Sequence, residues 1–129
     1  MSTDTATLPE GVIRNPGNAN HFMALNPIPR TIKVFHGEPL LARSARAIRV
    51  METGKSVYDP VIYIPLADIW APLEEVERTT HCPLKGDASY FTLDGEELAW
   101  GYDKALEFAA ALKGHRAFWP DKVRVVEGD

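Results

Sequence analysis

Ala88-Ser89-Tyr90-Phe91-Thr92-Leu93-Asp94-Gly95-Glu96-Glu97-Leu98-Ala99-Trp100 is the stretch that decides the fold. Ala88 to Leu93 is an apolar, aromatic run of strand length. Asp94-Gly95 is a two-residue hairpin signal, because tight hairpin turns need positive φ and Asp and Gly tolerate it. Glu97 to Trp100 then returns as the partner strand. One such hairpin inside a short chain favours antiparallel sheet.

Working outward, Asp103 is placed to cap a helix over Lys104–Leu112, with Gly114 just past its end. His115–Trp119 and Val123–Val126 read as a final hairpin across Pro120-Asp121, and the last three residues are expected to fray. On the other side, Pro60–Pro65 is a short apolar strand closed by prolines. Thr31–Phe35 and Leu40–Ala42 form a hairpin across His36-Gly37-Glu38-Pro39. Helix and strand compete over Ala45–Glu52, and strand is preferred. Before Arg30, repeated Pro, Gly and Asn interrupt any helix or central strand. Residues 1–29 therefore read as a partly ordered arm, with His21–Leu25 as a short strand inside it, and residues 30–129 as one domain. The expected fold is mainly β with some α content. It is a compact antiparallel sandwich or small barrel, with one main helix near 104–112.

At 129 residues the chain is one domain in size, long enough to bury a core without staples. A net charge of −4 gives no reason to expect nucleic acid. Charge is uneven: six bases face two acids between Arg30 and Lys55, and five acids face one base between Asp59 and Arg78. Two solvated, partly paired faces are the plain reading, and a basic rim for an anion the sharper one. Met1–Glu10 lacks an apolar h-region and no stretch is long enough to span a membrane, so neither a targeting segment nor a membrane partner is expected. One cysteine allows no internal disulfide and makes a reducing cytoplasm the default compartment.

The chemistry concentrates in Thr79–Phe91. Cys82 is a nucleophile only as thiolate, and His81 and Lys85 are the nearest sources of positive charge. Against that stands a buried, inert thiol in a turn shaped by Pro83 and Gly86. Lys85-Gly86 can hold an anion but is not a P-loop. No metal and no cofactor are expected. The single Cys cannot supply two thiolates, and His21, His36, His81 and His115 show no ligand spacing. Tyr63, Tyr90, Trp100 and Tyr102 sit in or beside strands, where their polar tips need partners.

Thr80-x-Cys82-Pro83-x-Lys85-Gly86-x-Ala88-x-Tyr90 resembles the signature of the DUF427 family, small and mainly prokaryotic proteins of unknown function. Ala42-x-Ser44, Glu52, Tyr63-x-Pro65-x-x-Asp68, Trp100-x-Tyr102 and Gly114–Trp119 agree in order and spacing, so the likeness covers roughly Thr31 to Val126. It implies a compact β-rich domain and adds Ser44, Glu52 and Thr80 to the candidate ligand-binding residues. The family also carries a nucleotidyltransferase-type label. The Gly-Ser pair and Asp-x-Asp motif of that chemistry are absent here, and Asp68 and Asp87 are the nearest acids.

Three functions follow. The first is a small-molecule-binding protein or small enzyme with its pocket at the Thr80–Gly86 loop. There Lys85 holds an anionic or carbonyl group, Cys82 serves any chemistry, and Tyr63, Tyr90, Trp100 and Tyr102 form the wall. The second is a non-catalytic interaction module in which the motif is structural and Lys85 reaches an acid such as Glu52 or Asp68. Nucleotidyl transfer ranks third. Oligomeric state is not legible.

Overall fold

Asp94 and Gly95 both adopt positive φ, 51° and 85°. That is the turn geometry whose twist matches a strand pair, and it sets Leu93 opposite Glu96. Around this hairpin a computed structural model describes residues 12–128. The strands are β1 (Val12–Asn15), β2 (Asn18–Pro27), β3 (Ile32–Phe35), β4 (Leu40–Ser44), β5 (Ile48–Thr53), β6 (Val61–Pro65), β7 (Glu74–Cys82), β8 (Gly86–Leu93), β9 (Glu96–Ala105), β10 (His115–Phe118) and β11 (Arg124–Glu127).

An eight-stranded sheet runs β1-β2-β5-β6-β10-β9-β8-β7, and a three-stranded sheet runs β11-β3-β4. Every neighbouring pair is antiparallel. The fold is mainly β, and the large sheet stays open rather than closing into a barrel. No helix among the described residues is long and apolar enough to cross a membrane.

Successive side chains of a strand point to opposite faces, and here adjacent residues divide between two cores. Ile64, Phe91 and Phe118 pack with Ile32, Val34 and Leu41 of the small sheet. Their neighbours Tyr63, Tyr90 and Ala117 belong to a second cluster with Met23, Val50, Leu84 and Tyr102. The large sheet therefore buries apolar surface on both faces.

Three segments differ from the sequence expectations. Residues 12–27, read as part of an arm, run as β1 and β2 in the large sheet, with Met23 fully buried. Residues 1–11 of that arm lie outside the described residues. The helical segment near 104–112 is shorter than drawn: β9 continues to Ala105, and a 3-10 segment, Glu107–Leu112, follows with a break at Ala109. The reason is at Asp103. Its carboxylate accepts hydrogen bonds from Arg116 and from the Gly114 amide, so it is not available as a helix cap. The C-terminal residues do not fray through Glu127, which pairs with Ile32 and accepts bonds from Arg30 and Arg49.

Candidate functional site

The loop that carries the family-like motif is short because β7 and β8 pair right up to it, with Cys82 opposite Gly86. Leu84 anchors it in the core and the Lys85 carbonyl accepts from the Leu106 amide. Gly86 has φ of 116°, and a Cβ there would lie 2.6 Å from the Lys104 carbonyl oxygen, so the chain can pass β9 this closely only with glycine. Pinned in this way, the Lys85 side chain turns inward and is buried.

Its partner comes from β5. Lys85 Nζ donates to Glu52 Oε1, and His21 Nε2 of β2 lies 2.7 Å from Glu52 Oε2. The Asn15 amide fixes the direction of that second bond. The Gly17 amide donates to Asn15 Oδ1 at 2.9 Å, which leaves Asn15 Nδ2 to donate to His21 Nδ1 at 3.2 Å. A ring that accepts at Nδ1 carries its proton on Nε2 and donates to Glu52. Burial alone would raise the Glu52 carboxyl, but the hydrogen bonds from Lys85 and His21 outweigh it and hold the group below its ordinary value.

Beside this network lies a chamber of about 170 Å³, walled by Glu52, Lys85, Tyr63, Trp100 and Tyr102, with Tyr58 and Asp59 also on its lining. Tyr63 meets Trp100 edge-on at 6.5 Å and sits 6.4 Å from Tyr102, while Trp100 packs on Trp119 at 4.3 Å. Burial raises the hydroxyls of Tyr63 and Tyr102 well above the usual tyrosine value, so both stay protonated and able to donate.

Five of the nine residues singled out from sequence thus share one chamber: Glu52, Tyr63, Lys85, Trp100 and Tyr102. The other four stand elsewhere. Ser44 donates to Asp68 at 2.6 Å and accepts from the Arg46 amide, in a separate polar cluster closed by Arg46 and Asp68. Thr80 and Tyr90 hydrogen-bond each other at 2.6 Å across β7 and β8, under the Arg78 guanidinium. Cys82 is half-buried and is not on the chamber wall. Its sulfur gathers instead with His21 and Glu52, the three ligand atoms lying within 4.8 Å of one another. Those donor types suit a metal. Here, however, Glu52 is already held by an ammonium and an imidazole N–H, and the nitrogen facing it carries a proton. Asp68 and Asp87 are engaged separately, Asp87 with His81 at 2.8 Å.

His21, Tyr58 and Asp59 were not foreseen. His21 had a readable signal, since it shares the parity of Met23 and Leu25 within the strand recognised at His21–Leu25, and both of those pack into the second core.

A family model described as a domain of unknown function (DUF427) matches residues 24–129, which includes Glu52, Lys85 and the aromatic wall but not His21. No curated protein matches the chain.

Proposed function

The chain belongs to the DUF427 family, and from that premise we propose a small-molecule-binding protein, or a small enzyme acting on such a molecule, with its ligand in the Lys85 chamber. One observation carries the reading. Lys85 is buried in a concave site with aromatic walls, yet its ammonium makes a single hydrogen bond, to Glu52, among the described residues. An ammonium has three donors, and a buried donor without a partner is costly. A ligand acceptor, carbonyl or anionic, supplies what the protein leaves out. The chamber is smaller than the roughly 300–1,000 Å³ that drug-sized ligands fill, which suits a compact metabolite. Cys82 would serve chemistry only through His21 and Glu52. We read the compartment as a reducing cytoplasm, in keeping with a lone free thiol.

A second reading has its own support. Lys85, Glu52 and His21 tie the β7–β8 loop to β5 and β2, which is what a purely structural motif would do. The test is a metabolite-library thermal shift on wild type, Lys85→Met and Cys82→Ala. Compounds that raise the melting temperature of wild type and lose that effect in Lys85→Met support the ligand site. Altered melting temperatures in both variants, with no compound stabilising wild type, would favour the interaction module. Nucleotidyl transfer stays last, and a nucleotide-dependent shift requiring magnesium would revive it.

A further inference from the structure

We propose that the ligand is an uncharged acyl compound whose carbonyl oxygen sits on Lys85 and Tyr102 and whose apolar chain passes Val61 and Trp100 into a second chamber between the two sheets. This rests on the ligand reading above and adds the class of molecule.

Three observations carry it. The first concerns donors. Tyr102 is 9 % exposed and lines the Lys85 chamber, and its hydroxyl has no hydrogen-bond partner among the described residues. Lys85 Nζ is 5.7 Å from the Tyr102 ring centre and spends one donor on Glu52. Two kinds of donor therefore line one space with bonds still to make, which is the complement of an oxygen with two lone pairs.

The second concerns charge. Glu52 offsets the Lys85 ammonium, and Asp59 adds a carboxylate to the same wall. A carboxylate ligand would bring a further negative charge beside these two acids. A ketone, ester or amide oxygen accepts the same bonds without that repulsion.

The third concerns space. β10 pairs with β6 only as far as Ala117 opposite Tyr63, then continues along β9 through Phe118 opposite Ala99. β6 stays with β5 as far as Val61. Where these partnerships part, a chamber of about 210 Å³ lies against the small sheet, lined by Val34, Ile62, Ile64, Phe118 and Val125. Val61 and Trp100 line both chambers. Water in an apolar cavity finds too few polar partners, so an alkyl chain is the better occupant.

Calorimetry with straight-chain primary amides, butanamide to octanamide, and with the matching carboxylates tests this. Wild type should bind the amides more tightly than the acids, with affinity rising roughly fourfold per methylene until the second chamber fills. Tyr102→Phe should weaken all amides alike, by about fivefold, leaving the chain-length dependence intact. Val125→Trp, at the half-exposed rim, should flatten that dependence while sparing butanamide. Ile62→Phe fills the same space from within should the new indole rest in solvent. Carboxylates binding more tightly than amides would overturn the head group. A chain-length dependence that survives both filling variants would overturn the tail. Library compounds that bind through Lys85 while every amide fails would overturn this inference alone; a chamber that binds nothing overturns the ligand reading with it.

Discussion

Arg116 and Lys85 are both buried bases of the large sheet, 6 % and 7 % exposed, and they stand on opposite faces. On the face covered by the small sheet, Arg116 gives two parallel bonds of 3.0 Å to Asp103 and a third, of 2.9 Å, to the His115 carbonyl, and its guanidinium lies 3.9 Å over Phe91. Gly101 beneath it has no room for a Cβ, which would sit 2.8 Å from Nη1. Three of its five donors are thus engaged, and neither Arg116 nor Asp103 lines either of the two chambers. On the other face, Lys85 makes one bond and looks into a chamber. Arg116 therefore reads as a closed structural pair and Lys85 as an open one. A buried base by itself says little, and Lys85 and Arg116 each leave two donors over; what separates them is the chamber that the lysine faces.

The largest expected effect comes from removing the Lys85 partner. Glu52→Ala leaves an ammonium buried without a counter-charge, and a broken buried pair costs about 3–5 kcal/mol. Urea denaturation measures it. Combining Glu52→Leu with Lys85→Met should recover most of that loss while abolishing ligand stabilisation, because two apolar groups replace the pair and no donor remains. A Glu52→Ala protein within about 1 kcal/mol of wild type would mean that the lysine reaches water and that the contrast with Arg116 is misplaced. Arg116→Met should cost less, about 2 kcal/mol, since it strands Asp103, whose side chain is 44 % exposed and regains solvent. It should leave any ligand response of the Lys85 chamber unchanged.

An acid titration sharpens the same contrast. The Glu52 carboxyl is held below its unfolded value of 4.5. Its contribution to stability is complete above that value and is lost as pH falls through the lower folded value, because the unfolded state takes up the proton first. Wild type should therefore lose stability below about pH 4.5 more steeply than Glu52→Gln. Asp103 and Asp68 are lowered as well and give both proteins a shared background slope. Equal slopes in the two proteins would remove Glu52 from the acid transition.

How far these features were legible depends on how local their causes are. The Asp94-Gly95 hairpin was, because two positive-φ residues between apolar runs leave little choice. The family-like motif placed Lys85, and an acid partner at Glu52 or Asp68 was foreseen, but sequence could not choose between them. The choice falls to the register of β5 against β2 and β6, which brings Glu52 beside His21 and sends Asp68 to Ser44. The role of His21 was hidden because the short strand read around it gives no local sign that it pairs with β5 far along the chain. The helix near residue 104 failed for the same kind of reason: Asp103 looks like a cap locally, but Arg116, thirteen residues on, engages its carboxylate. Ser44 and Tyr90 belong to the motif and yet found partners of their own, so a shared signature did not mean a shared site.

The smallest expected effect on stability separates structure from function most cleanly. Tyr90 and Tyr102 are equally buried, at 9 % exposed, and both belong to the second core. The Tyr90 hydroxyl has Thr80 at 2.6 Å, so Tyr90→Phe breaks a hydrogen bond and should cost about 1 kcal/mol. The Tyr102 hydroxyl has no such partner among the described residues, so Tyr102→Phe should fall within about 0.5 kcal/mol of wild type. An unpaired buried hydroxyl adds nothing to stability that phenylalanine of the same volume would not. A ligand that accepts its hydrogen bond would give the hydroxyl a use. Paired denaturation curves of the two variants, each repeated with a saturating chamber ligand, decide the point. The ligand should stabilise Tyr90→Phe as much as wild type and Tyr102→Phe less. If Tyr102→Phe instead costs as much as Tyr90→Phe without ligand and responds fully with it, the hydroxyl is a structural group and the open site shrinks to Lys85 alone.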